Sequence, residues 1–312
     1  MLDVISSAWR FTIRLKAAFL PVNHPFNERD LSSLPELPEI EHLRQTLLEP
    51  LVGQRVLMAR LRRSDVLRRS SPGRADQLLL SGQTMLDLRR RGKQLAIIGD
   101  AGVICVHLGM SGQLFLTDRS RFGHSEHVHA VWSITSPTGP RRLVFRDPRR
   151  FGGLWSFESI DQLESTRWHR LGPDAVAIRS RDFADRLQRT RRPIKTALLD
   201  QAVIAGVGNI YADESLHRAR VHPERPACEL QRAEVTRVAS AVRDVLRHAI
   251  RAGGSTLRDY RDGSGNAGEF QSAHLVYGRG GEACTSCGHV LTLIRLAQRA
   301  TVFCERCQPR TF

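Results

Sequence analysis

Between residues 39 and 50, Ile40, Leu43 and Leu47 recur at helical spacing, with Glu39 and Glu41 in the first turn and Gly53 just beyond as a stop. The pattern predicts a helix over 39–50. From there to about 158 the apolar residues come in short runs bounded by Gly, Asp or Pro. Strands are predicted at Arg55–Leu61, Gln94–Ile98, Val103–Leu108, Gln113–Leu116, Val128–Ile134 and Arg142–Phe145. Beyond about 160 the period returns to that of helices, predicted at Asp182–Gln188, Ile194–Gln201, Ile210–Arg218 and Ala233–Ile250. The last has Val235, Val238, Val242, Leu246 and Ala249 on one stripe and Gly253-Gly254 at its end. A β-sandwich flanked by helix, a linker near 158–172 and a helical second domain follow, an α+β chain of two domains. No repeat at solenoid or propeller period and no long low-complexity run is present.

Charge adds a partner to this plan. The 312 residues include 47 Lys+Arg against 32 Asp+Glu, a formal net charge of +15. Residues 1–33 hold Arg10, Arg14, Lys16 and Arg29 against Asp3, Glu28 and Asp30, so the excess belongs to the body of the chain. Clusters at Arg89-Arg90-Arg91, Arg149-Arg150 and Arg189–Arg192 point to a polyanion. No run approaches the ~20 apolar residues needed to cross a bilayer, so nucleic acid is the expected partner and a membrane is not. The N-terminal segment lacks a secretory pattern, and a cytoplasmic protein is expected.

Four of the six cysteines form two CxxC pairs, Cys284/Cys287 and Cys304/Cys307, with sixteen residues between them. Facing turns of a hairpin present four thiolates to one tetrahedral Zn²⁺ at this spacing, and with all four positions filled by protein the metal is structural. Between the pairs, Arg299 would be held by the hairpin in an orientation suited to a phosphate. Gly206-Val207-Gly208-Asn209 opens a helix. Its amide groups, with the Asn209 side chain, are expected to receive a phosphate.

The run Pro35-Glu36-Leu37-Pro38-Glu39 resembles the mature amino terminus of bacterial formamidopyrimidine-DNA glycosylases, which excise oxidised purines. Four further motifs follow in the family's order: His107–Gly112, Asp147–Gly152, Gly206–Leu216 and Tyr277–Gln308. The resemblance implies an N-terminal catalytic sandwich over 34–160, a helix-two-turn-helix domain over 170–262 and a four-cysteine zinc finger over 277–310. It implies Pro35 as nucleophile, Glu36 as acid/base and Lys93 as a contact to the damaged nucleotide. Glu39 either supports the site or serves only the helix dipole. Met110, Arg149 and Phe151 match residues that fill the stack when a nucleotide is extruded, while His107, Asn209, Tyr277 and Arg299 match phosphate contacts. Gly253–Thr256 and Gly263–Gln271 stand where the family has a loop over the extruded base. One structural zinc, damaged double-stranded DNA as partner, a monomer and a cytoplasmic, nucleoid-associated location complete what it implies.

The departure lies at the nucleophile. Leu34 stands where the family has a removable Met, and 33 residues precede it. An internal proline nitrogen is a tertiary amide and not nucleophilic. Leucine codons TTG and CTG also serve as bacterial initiators, so residues 1–33 are expected to be a start-site artefact or disordered. Trp9, Phe11, Ile13 and Leu15 alternate as a short strand would if the segment is real. Two alternatives remain: a catalytically silent lesion- or DNA-binding protein if the extension is real, and an endonuclease VIII-like enzyme for oxidised pyrimidines. The opening Pro-Glu-Leu-Pro favours the purine branch over that family's Pro-Glu-Gly-Pro.

Overall fold

The computed structural model describes residues 35–69, 75–118, 127–256, 263 and 266–310. Residues 1–34, with the alternating segment and the expected start site, lie outside the described residues. So do 257–262, 264 and 265, the last two within the expected base-covering segment Gly263–Gln271.

Helix α1 (Leu37–Leu51) leads into β1 (Val56–Leu61), β2 (Leu67–Arg69), a short α2 (Ala75–Leu78), β3 (Met85–Arg91), β4 (Gln94–Gly99), β5 (Val103–His107), β6 (Gln113–Thr117), β7 (Val128–Ile134), β8 (Arg141–Arg146) and β9 (Gly153–Phe157). These strands form a five-stranded sheet, β2-β9-β5-β4-β3, facing a four-stranded one, β1-β7-β8-β6. Leu95, Ile97, Ile104, Val106 and Leu154 of the larger sheet meet Trp132, Leu143 and Phe145 of the smaller in one core. The alternate residues Ala96, Val103, Cys105 and Phe157 are buried as well, under Leu163 and Trp168. A sheet covered on both faces reads as a continuous apolar run, which is why β4 and β5 were legible as strands.

The covering elements are α3 (Ile160–Thr166) and the turn Trp168–Arg170, in the stretch expected to be a linker. Ser159 caps α3 through a hydrogen bond from the Gln162 amide, 3.2 Å. This segment is a packed lid on the sheet. Strands β3 and β9 were not among those predicted. In β3 the buried Met85 and Leu88 lie three residues apart across an irregularity in register and Arg89-Arg90-Arg91 follows, so no alternation shows in the sequence.

The second domain contains α4 (Ser180–Leu187), α5 (Ile194–Leu199), α6 (Asn209–Ala219), α7 (Arg232–Arg251) and the hairpin β10 (Thr292–Leu296)–β11 (Arg299–Phe303). Helix α1 joins the two bodies. Ile40, Leu43, Leu47 and Leu51 lie in the sandwich core, whereas Leu37 belongs to the helical core with Val207, Ile210 and Tyr211. The β3–β4 turn is clamped to the helical domain by Arg90, whose guanidinium meets Asp174 at 2.6 Å and Glu41 at 2.8 Å. The start of α1 therefore sits at the seam between the domains.

Candidate active site and nucleic-acid interface

Pro35 is buried at that seam. The next residue, Glu36, is 2% exposed. Its carboxylate accepts hydrogen bonds from the amides of Gly208 (2.6 Å) and Ile210 (3.0 Å) at the start of α6. This corrects the expectation for Gly206–Asn209, because the two helix-opening amides hold an internal carboxylate where a phosphate was expected. The positive end of α6 suits either anion. A Cβ at 208 would stand 2.6 Å from Lys93 Nζ and would also collide with the Glu36 carboxyl, so glycine there leaves both side chains in place.

Lys93 occupies the β3–β4 turn next to Glu36. Burial pushes its ammonium below the usual lysine range, opposed by the charges of Glu36 and Glu39. Burial pushes Glu36 up to about 7, against the pull of Lys93 and of its two amide donors. The result is a carboxyl poised to exchange a proton near neutrality beside a cation.

Glu39 proves to be more than a dipole partner. Its carboxylate accepts from the Glu36 amide (2.7 Å), the Tyr211 hydroxyl (2.5 Å) and the Ser255 amide (2.7 Å). It thereby ties the first turn of α1 to α6 and to the Gly253–Thr256 turn. Burial raises its pKa, offset by these donors. Ser255 passes the network on to His274 Nε2 at 3.1 Å. Tyr277 is buried, with its ring 5.5 Å from that of His274, and its amide donates to Glu214 at 2.8 Å.

Asn209 donates to the Ala300 carbonyl at 3.0 Å, while its Oδ1 is buried without a partner. The same carbonyl accepts from Lys195 Nζ at 2.8 Å. Lys195, fully buried, also meets Asp213 at 2.7 Å and donates to Thr301 Oγ1 at 2.8 Å. Burial opposes both charges, and their contact offsets it. The pair locks β11 against α6 and so fixes Arg299, one residue before Ala300, within electrostatic reach of Lys93. Sequence reasoning assigned Lys195 no role. Its one signal was a charge inside the apolar run of Ile194, Ala197 and Leu198.

Met110, Arg149 and Phe151 lie on two turns that meet in space. Gly109 (φ +61°) and Gly152 place two turns so close that a Cβ on either would strike the other's backbone. Asp147, fully buried, accepts from Ser111 Oγ (2.6 Å) and from the Gly152 amide (2.7 Å), and Ser111 Oγ accepts from the Arg149 amide at 3.1 Å. Phe151 projects from this bracket 56% exposed, with the Arg149 guanidinium 5.0 Å over its ring. Met110 lies on the facing turn, partly exposed. His107 accepts the Gly109 amide on Nδ1 at 3.1 Å. Burial, with Lys93 and Arg167 nearby, lowers its pKa to about 4, so the ring is neutral at neutral pH and offers Nε2–H.

At the far end Cys284, Cys287, Cys304 and Cys307 bring their Sγ atoms within 4.8 Å of one another. Tetrahedral Zn–S bonds of about 2.3 Å require sulfur separations of roughly 3.8 Å, so the four thiolates fit one structural zinc. His217 Nε2 lies 3.6 Å from Cys284 Sγ and links the cluster to α6.

A carboxylate and a lysine at a domain seam, an exposed phenylalanine under an arginine and a four-cysteine hairpin with an arginine at its turn are consistent with a DNA glycosylase of the helix-two-turn-helix class. Residues 34–154 match the family profile of the formamidopyrimidine-DNA glycosylase N-terminal domain, 171–261 that of its H2TH domain, and 281–310 a zinc finger found in FPG and IleRS. The formamidopyrimidine-DNA glycosylase of Shewanella oneidensis is 41% identical over 280 residues, covering 89% of this chain and all of that protein. That of Stutzerimonas stutzeri is 44% identical over 284 residues, covering 88% and 100%. Among solved structures, MutM (Fpg) of Thermus thermophilus superposes with a TM-score of 0.77 at 38% identity, over 89% of this chain and all of that one. A Lactococcus lactis FPG mutant bound to a Fapy-dG containing DNA gives 0.80 at 30% identity, over 88% and 100%. The chain belongs to the formamidopyrimidine-DNA glycosylase family, DNA glycosylases of base-excision repair. No helix among the described residues is long and apolar enough to cross a membrane.

Proposed function

We propose that this protein excises oxidised purines from duplex DNA and then cleaves the strand, using the amine of Pro35 as nucleophile. The observation that supports this most is the setting of Glu36, adjacent to Pro35, held by two helix-opening amides beside Lys93 and pushed up to about 7. The Pro35 nitrogen bonds to C1′ as the bond from C1′ to the base breaks, and the proton released from the amine goes to the departing base. In its acid form Glu36 then protonates the deoxyribose ring oxygen, the bond from C1′ to that oxygen breaks, and the nitrogen lone pair closes the iminium ion of a secondary amine. Loss of the C2′ proton then expels the 3′ phosphate, and a second elimination expels the 5′ phosphate. An α-amino group with an ordinary pKa of about 7.7–8.0 is partly unprotonated at neutral pH without a dedicated base. Met110, Arg149 and Phe151 fill the gap left by the extruded nucleotide, and Arg299, Asn209, His107 and Tyr277 serve the backbone around it.

One observation favours a second reading. In the sequence as it stands the Pro35 nitrogen is an amide to Leu34, and a chain with that bond intact binds lesions without chemistry. Borohydride trapping on an 8-oxoguanine duplex separates the two. A protein beginning with Pro35 after methionine removal should form a covalent adduct and the full chain should not. Failure of both to trap would sink the nucleophile assignment. Faster release of thymine glycol than of 8-oxoguanine would move the protein to the oxidised-pyrimidine branch.

A further inference from the structure

Beyond the residues matched by the family lies a cation whose surroundings are unusual. Arg167, at the end of α3, is partly buried on the outer face of the five-stranded sheet. Its guanidinium lies 3.7 Å over the Trp155 ring and donates to Gln94 Oε1 at 2.8 Å. Among the described residues no carboxylate lies within ion-pair distance of it. Burial lowers its pKa most, Cys105 opposes that, and the nearby charges of Arg68 and Arg170 lower it further. The neighbouring Cys105 thiol is no counterion, since burial pushes it up to about 11. Partly desolvated charges are ordinarily paired, and the guanidiniums of Arg68 and Arg167 over one indole, with Arg170 in the same lining, form a cationic surface suited to an anion.

The position of the cluster says which anion. A cavity of about 340 Å³ opens here, lined by Gln94, Trp155, Thr166, Arg167, Arg170 and Leu171. Gln94 follows Lys93 directly and pairs in register with His107, which in turn pairs with Gly153 beyond the wedge turn. The cavity thus lies on the sheet face that carries Gln94 and His107, with both Lys93 and Arg167 in electrostatic reach of His107. We propose that Arg167, backed by Trp155 and flanked by Arg68 and Arg170, seats a backbone phosphate of the bound duplex and lengthens the contact that begins at Lys93 and His107. This rests on the reading of the protein as a duplex-DNA enzyme. It adds a site carried by this chain's own residues.

The test is the salt dependence of binding to an undamaged duplex by the full chain and by Arg167→Met, with inorganic phosphate as a second probe read by tryptophan fluorescence. Loss of one phosphate contact should make the slope of log K against log[salt] shallower by about 0.9. Phosphate should change the fluorescence of the wild-type protein only, and not once duplex is bound. Should Arg167→Met melt early, Arg170→Met, altered at an exposed position, should give a smaller shift of the same sign. An unchanged slope for both variants overturns the proposal. A phosphate response that survives duplex binding overturns it too, since the site would then take free phosphate. If the wild-type chain bound no duplex at all, the functional reading would fail as well; bound duplex with an unchanged slope overturns this proposal alone.

Discussion

Two glycine turns in this protein solve opposite problems. At Gly109 and Gly152 the absence of a side chain lets two backbones touch, and the bracket so formed pushes Phe151 out into solvent. At Gly208 the missing side chain makes room for the ends of two others, the buried Glu36 carboxyl and the Nζ of half-buried Lys93. A backbone cannot yield to an added methyl group, whereas the tips of flexible chains can. The first turn is therefore a matter of folding and the second a matter of chemistry, although both read in the sequence as Gly-rich loops.

The sharpest way to break the contrast is Gly208→Ala, which should displace Glu36 and Lys93 while the fold absorbs the change. In a protein with a free Pro35 amine, base release should fall about 10²-fold, as small misplacements of reacting groups do, with a nearly unchanged Tm. A large drop in Tm would show that the turn is structural after all. Gly109→Ala should behave the other way. Its positive φ and the backbone contact predict destabilisation of about 2 kcal/mol in thermal or denaturant unfolding, and a wild-type Tm would refute the bracket.

Phe151→Ala tests what the bracket is for. Release from intact duplex should drop roughly tenfold, about 1.4 kcal/mol of the few required for unstacking, while cleavage at a preformed abasic site is nearly spared. Equal losses on the two substrates would reduce Phe151 to packing. The smallest effect is the pH profile of the Glu36 site. Because burial raises Glu36 to about 7, its acid form is lost as pH climbs through that value, while the Pro35 amine, with an ordinary pKa of about 7.7–8.0, is still gaining free base; single-turnover base release should therefore stay nearly level from about pH 7 to 8 and decline on an alkaline limb above it. The limb should vanish in the slower Glu36→Gln. A decline of the same midpoint in Glu36→Gln would assign it to another group.

The sequence alone determined the sandwich strands from Gln94 to Phe145, the amphipathic α7 and the four-cysteine finger, because each rests on a local period or spacing. Its motif order also pointed to the family that the relatives then showed. It placed the passage between the domains near 158–172, where the two domain profiles part, but missed the helix there, since a seven-residue helix with one buried leucine has little period to see. What only the tertiary structure decided is how the motifs share their donors. Nothing in Gly206–Asn209 says that its amides face Glu36, some 170 residues away in the chain, or that Asn209 turns to Ala300. Nor does Lys195 announce a partner in Asp213, or Arg167 the lack of one. Periodicity records which side of an element is apolar, whereas burial, pairing and pKa depend on which elements meet at the seam, and that is a property of the packed chain.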